Sequence, residues 1–302
     1  MELALIILYS FLFLLIIRKS GLFERSVLSP SFLLFFGIVK IAVALLYYYI
    51  VSTTTTHYDS RIFIRDANII YSSLQESVWY YLHLTFGPND YLPEPDHLCA
   101  YIDPMGFWYD QGNYTMVRIN AVFRLFSFGF ASLHYIFFSM LSFVGAYNLY
   151  RFVERQTKVP SMYIALPIFF FPGTLFWTSG GHKEAIVFLC IGLIFNMIAR
   201  ILEGNRKWTT ILALGFSLVI LALVRFYTLA IFLPGLIAYF LIYLKKWKPL
   251  PSFAILYGGF IICALLFDIN SDGFRIAEEI TIRQQTFQKA DGNTSFELPR
   301  VS

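Results

Sequence analysis

Charge is scarce in this sequence. Asp, Glu, Lys and Arg make up 14% of its 302 residues, against about 25% in a soluble globular domain, so an ordinary water-soluble domain is excluded. Cysteine is nearly absent. Cys99, Cys190 and Cys263 have neither metal-site nor redox-pair spacing, which excludes a disulfide framework and a thiolate metal centre. Cys190 and Cys263 fall inside apolar runs and read as small core residues, whereas Cys99 lies in a loop as a free thiol. The net charge is only +4, and the basic residues flank apolar runs, where membrane orientation explains them without a nucleic-acid partner. There is no internal repeat. The first segment, 1–17, lacks a basic start, and no small-residue cleavage site follows it, so it reads as a retained, rather short, first span and not as a signal peptide.

What is present is hydrophobic surface, 58% of residues, in long runs separated by short basic punctuation. A run of roughly 20 apolar residues spans the hydrocarbon core as a helix. Only helices and closed barrels satisfy their backbone polar groups in lipid. These runs are too long and too apolar on every face for the alternating strands of a barrel. The expected fold class is therefore all-α, a polytopic transmembrane helix bundle. About eight spans are expected, near 1–17, 30–51, 131–150, 160–177, 185–202, 208–224, 227–244 and 252–268. The pairs 160–177/185–202 and 208–224/227–244 read as tight helical hairpins. Aromatics reach 19%, with 33 Phe for lipid-facing and packing surface and 20 Tyr, a residue favoured at the lipid–water boundary.

Lys and Arg in short loops favour the cytoplasm. Alternate loops hold Arg18, Lys19 and Arg25; Arg151, Arg155 and Lys158; Arg200, Arg206 and Lys207; and Lys245, Lys246 and Lys248, twelve basic residues on one side. The N-terminus is then outside. So are a long loop at 52–130, the turn at 177–184 and a polar tail. This gives a transmembrane domain over 1–268 and a non-cytoplasmic tail over 269–302. The tail stops at Leu298-Pro299-Arg300-Val301-Ser302 without the look of a finished terminus, so a truncated longer protein is expected. A loop far longer than about 12–15 residues is usually functional or disordered. This one is rich in aromatics. Its periodic stretches at 61–84 and 116–130 predict short helices lying along the membrane surface, and the Pro-, Asp- and Gly-rich 87–112 between them predicts irregular chain.

Three groups on the outer side are candidates for chemistry. In His57-Tyr58-Asp59-Ser60, Asp59 lies seven residues before Asp66, which puts both carboxylates on one helical face. A carboxylate at a partly dehydrated boundary can act as a base, and paired carboxylates can hold a divalent cation. The plainer alternative is a pair of acids solvating a helix as it leaves the membrane. In Ser179-Gly180-Gly181-His182-Lys183-Glu184 the glycines allow a tight turn. The helix that follows offers free N–H groups and its positive dipole end to an anion. His182, Lys183 and Glu184 there, with Arg225 between two spans, are candidates for holding a lipid phosphate. The alternatives are a polar hairpin cap and an arginine snorkelling to the surface. Lys40 lies midway along the second span and calls for an acid partner or a water-filled cavity. Arg118 and Arg124 could meet lipid headgroups, though surface snorkelling fits them better. His83, His97 and His134 have no ligand-like spacing and read as structural. Asn113-Tyr114-Thr115 and Asn293-Thr294-Ser295 match the N-glycosylation pattern.

These residues carry a resemblance. His57-Tyr58-Asp59-Ser60 through Phe63 and Asp66-Ala67, the stretch 116–150, and 172–184 with Phe176-Trp177-Thr178-Ser179-Gly180 and Lys183-Glu184 resemble the multispanning glycosyltransferases of the GT-C fold, especially uncharacterised bacterial members. The resemblance covers roughly 30–245 through short, moderately specific motifs. It implies a sugar carried on a polyprenyl phosphate and moved to a glycan or lipid acceptor on the outer face of a bacterial inner membrane, with membrane lipids as the surroundings. The acid of the first outer loop would be Asp59, with Asp66 as helper. Lys183 and Arg225 would hold the lipid phosphate. Some members use a divalent metal and others none. The departures are a loop that follows the second span instead of the first, acids seven apart instead of adjacent, and no later spans or soluble C-terminal domain. The rival readings are a polysaccharide polymerase or lipid-linked-sugar exporter, and a non-catalytic membrane scaffold subunit. A transporter would show repeated halves, and a polymerase more outer Arg and His.

Overall fold

The computed structural model describes residues 1–19, 28–54, 58–89, 98–157, 159 and 161–270. Arg25, His57, His97, Lys158 and Asn293-Thr294-Ser295 lie outside the described residues, as does the expected tail beyond Asn270. The described chain is all-helical and divides into two compact units, Met1–Leu229 and Ala230–Ser302.

In chain order the helices are α1 (Glu2–Lys19), α2 (Pro30–Thr53), α3 (Asp59–Ser72), α4 (Val78–Phe86), α5 (Cys99–Ile102), α6 (Gln111–Ser127), α7 (Ala131–Gln156), α8 (Ser161–Phe170), α9 (Pro172–Trp177), α10 (Lys183–Leu202), α11 (Trp208–Lys245) and α12 (Pro249–Asn270). Among the described residues four of them, α2, α7, α10 and α11, are long and apolar enough to cross a membrane. The expected span at 160–177 is instead two pieces, α8 and α9. Pro172 has no N–H to donate and disfavours helical backbone at the residue before it, and Phe171 duly turns extended (φ −61°, ψ 117°). The expected hairpin between 208–224 and 227–244 is a single non-helical residue, Arg225 (φ −150°, ψ 78°), inside the 38 residues of α11.

The core of the first unit is built on α2, α7 and α10. Ser29 caps α2, accepting from the Phe32 amide at 3.2 Å, and Pro30 follows at the first helical position. Phe36 packs on Phe143 and Phe169 with ring centroids 5.3 and 4.4 Å apart, so part of the phenylalanine excess is packing surface. Phe216, Val219 and Ile231 of α11 are exposed, as lipid-facing residues would be. Helices α7 and α10 meet at glycine. A Cβ on Gly145 would stand 2.6 Å from Leu189 Cα, and one on Gly192 would collide with the Gly145 carbonyl. This is the small-residue contact that lets membrane helices approach closely. Asn196 Nδ2 donates to Asn148 Oδ1 at 2.6 Å across the same seam. In the second unit Tyr257 of α12 donates its hydroxyl to the Ile231 carbonyl at 3.1 Å.

The long loop is largely helical. α3 packs on α6, and α4 is pinned to α6 by Tyr81 Oη to Ala121 O (3.1 Å) and Tyr114 Oη to Leu84 O (2.7 Å). Arg118 and Arg124 are structural pins here. Arg118 is half-buried, donates to the Gly87 carbonyl and lies 4.8 Å over the Tyr114 ring. Arg124 donates to Asn68 Oδ1 at 2.7 Å and lies 4.2 Å over Tyr71. His134 is buried between Asn120 Oδ1 (2.8 Å) and Ser127 Oγ (2.9 Å), in keeping with a structural role.

Candidate functional site

The turn before α10 is set by α9. Thr178 and Ser179 turn their hydroxyls back on the Thr174 and Leu175 carbonyls, both at 2.6 Å. Gly180 then lies so close to Tyr47 of α2 that a Cβ would stand 3.0 Å from the ring. His182 takes the N-cap position in extended conformation, with no side-chain cap bond. Its imidazole points instead to α2, where Nε2 hydrogen-bonds the Tyr47 hydroxyl, and its ring meets Tyr47 edge-on. Burial pushes the His182 pKa below the ordinary value, against the opposing pull of Glu184 and Asp59. The shift favours the neutral ring, whose tautomer sets which of Nε2 and the Tyr47 hydroxyl donates.

Lys183, the first residue of α10, is half-buried. The charges acting on its ammonium are Asp110, Arg225, Asp59 and Glu184. The bare Gly112 of α6 faces it. A Cβ there would stand 3.0 Å from Lys183 Nζ and 2.9 Å from the Val224 carbonyl. Arg225 sits at the break in α11, and its guanidinium pairs with Glu184. The helix is therefore interrupted at the residue whose charge would be most costly inside lipid. Asp59 is the first residue of α3 and is exposed. Three elements, α3, α10 with its N-cap, and α11, thus bring Asp59, His182, Lys183, Glu184 and Arg225 to one end of the bundle.

Two members of this cluster escaped sequence reasoning. Tyr47 passes for one more boundary aromatic. Asp110 is the N-cap of α6 and accepts from the Asn113 amide at 2.9 Å. Its signal was there, because Asp110-Gln111-Gly112-Asn113 before a periodic stretch is an N-cap pattern.

Asp66 is placed elsewhere. It is fully buried, and its carboxylate accepts from the Gly106 (2.9 Å) and Phe107 (3.2 Å) amides and from Arg65 (2.8 and 3.0 Å). These bonds consume its lone pairs in holding the 106–107 turn, so it stands as an anchor and does not join the cluster. Among the described residues no group of three or more His, Cys, Asp or Glu converges to hold a metal ion. The two α3 acids supply no such set either. Among the described residues Lys40 meets no acid. It is buried and donates to Thr178 Oγ1 at 2.8 Å.

Beside the cluster opens a groove of about 590 Å³. Glu184 and Arg225 form its polar end, and Phe171, Trp177, Val187, Phe188 and Ile191 form apolar wall. From Glu184 to Ile191 is seven residues of helix, about 10 Å at 1.5 Å each. An amphiphile with a charged head and an apolar tail matches that gradient. A scan against protein-family models, a search of curated proteins and a search of solved structures each return no match to this chain.

Proposed function

We propose that this chain is a membrane-embedded glycosyltransferase of the GT-C kind, moving a sugar from a polyprenyl phosphate to a glycan or lipid acceptor. The observation that carries the reading is the charged cluster of Asp59, Lys183, Glu184 and Arg225 opening onto an apolar groove. On this reading the polyprenyl tail lies along Val187, Phe188 and Ile191, and the phosphate meets Lys183 and Arg225. Asp59 takes the proton of the acceptor hydroxyl as its oxygen attacks the anomeric carbon. The bond from that carbon to the phosphate oxygen breaks with inversion, and the two cations stabilise the departing polyprenyl phosphate. Glu184 holds Arg225 in place. His182 and Tyr47 fix the turn from which Lys183 projects.

The membrane arrangement belongs to the same proposal: about eight spans, the N-terminus and the cluster outside, and a bacterial inner membrane. The loop charges support the orientation. The break at Arg225 supports counting α11 twice, because 38 residues at 1.5 Å each would extend about 57 Å, nearly two hydrocarbon thicknesses. A lipid-linked-sugar exporter would share the groove and the buried Lys40, but not a requirement for a base at Asp59.

Sugar transfer in membranes carrying the protein, with polyprenyl-phosphate sugars as donors, tests the reading. Wild type should transfer sugar. Asp59→Asn and Lys183→Ala should each lose at least about a hundredfold, the range for a missing base or a missing charge stabiliser. Full activity in Asp59→Asn would sink the assignment of the base. Donor bound and moved across the membrane without transfer would favour the exporter.

A further inference from the structure

A second polar cavity lies at the other end of the α7–α10 pair. Lys183 begins α10, and Arg200 lies 17 residues further along it, about 25 Å at 1.5 Å per residue. The cavity holds about 530 Å³, within the range of small-molecule sites. Arg151 and Arg155 of α7, Arg200 of α10 and Lys207 just before α11 line it, with Glu203 as the acid among them. Arg151 is paired with Glu154, and Arg155 stands 3.5 Å from Glu203. Four cations against two acids leave two positive charges facing the space.

The bland explanation is that these are orientation charges, solvated beside a membrane. It does not account for the cavity's inner polar groups. Asn196 is 5% and Thr210 1% exposed. Both line the space, and among the described residues Asn196 Oδ1 and Thr210 Oγ1 have no hydrogen-bond partner. Asn196 spends its amide nitrogen on Asn148, which leaves its buried carbonyl oxygen without a donor among the described residues. Buried polar atoms without partners are uncommon and costly. A ligand that satisfied both would bring an acceptor for Thr210, negative charge for the arginines and a hydroxyl donor for Asn196.

We propose that this cavity binds a phosphate ester carrying a free hydroxyl, such as a glycerophosphate headgroup. Its phosphate would lie among Arg155, Arg200 and Lys207, and its hydroxyl would donate to Asn196. Basic pockets between membrane helices suit anionic headgroups. The same chemistry is found in a phospholipid and in a soluble glycerol phosphate. The site is separate from the proposed transfer site and does not depend on that reading.

The test is thermal unfolding of the full-length protein in detergent, with three additives: dioleoylphosphatidylglycerol, dioleoylphosphatidylcholine and glycerol 3-phosphate. A ligand of the native state raises Tm by mass action. Phosphatidylglycerol is expected to raise Tm above the phosphatidylcholine control. Arg200→Gln should weaken the apparent affinity about tenfold, the effect of one lost charge-assisted hydrogen bond. Lys207→Gln, on an exposed residue, gives the same reading should Arg200→Gln fail to fold, and Lys183→Ala should leave the shift intact. A shift with glycerol 3-phosphate alone would uphold the chemistry and assign a soluble source. No shift with either phosphate compound would overturn the proposal, as would an equal shift in both cavity variants or a shift abolished by Lys183→Ala.

Discussion

Two aspartates seven residues apart on one helix end in opposite circumstances. Asp59 is exposed and its charge acts on Lys183, whereas Asp66 is sealed in and occupied by two amides and a guanidinium. The spacing was readable in the sequence and the difference was not. Burial of Asp66 depends on the 106–107 turn folding back from forty residues away, a contact that helical periodicity does not encode. Asp66→Ala would remove the charged acceptor of two part-buried amides, at about 1.5–3 kcal/mol, the range for a hydrogen bond to a charged group. Melting of the purified protein should show that loss for Asp66→Ala and almost none for Asp59→Asn. Equal melting of the two variants would mean that Asp66 is no anchor. Lys183 and Arg225 were legible because charge beside lipid stands out in any sequence. Tyr47 was hidden among twenty tyrosines.

At the scale of the element, long apolar runs announced where α2, α7 and α10 begin to within two residues, because length and hydropathy suffice to specify a membrane helix. The two places where helix and expected span differ both involve interruption. Pro172 was visible and should have split the span at 160–177. The break at Arg225 falls on a residue with no helix-breaking propensity, so the sequence does not register it. The α7–α10 seam was invisible too, since Gly145 and Gly192 belong to different runs and only their meeting gives them meaning. A side chain at Gly192 must enter the Gly145 backbone, which cannot yield as a flexible side chain does. Gly192→Val is expected to cost at least the 1–3 kcal/mol typical of overpacking (about), read as loss of monodisperse protein on extraction. Gly215, with open space around it, is the control position and should tolerate the same change.

For the whole molecule, membrane character follows from composition, and the division of polar chemistry between two ends of one bundle follows from loop charge. Cysteine scanning tests that division. In a background without native cysteines, Tyr109→Cys and Arg206→Cys place thiols at exposed positions, one beside the site and one beside the second cavity. A membrane-impermeant thiol reagent applied to intact cells should label the first and spare the second. Labelling of both, or of Arg206→Cys alone, would contradict the orientation. The glycine seam bears on how such a bundle meets bilayers of different thickness. Two helices in backbone contact cannot slide or tilt independently, so α7 and α10 move as one rod. Mismatch with a thicker or thinner bilayer then falls on the pieces already interrupted, α8 with α9, and α11 at Arg225. Of these, α9 and Arg225 line the groove together with α10, so its width is set in part by the lipid around it.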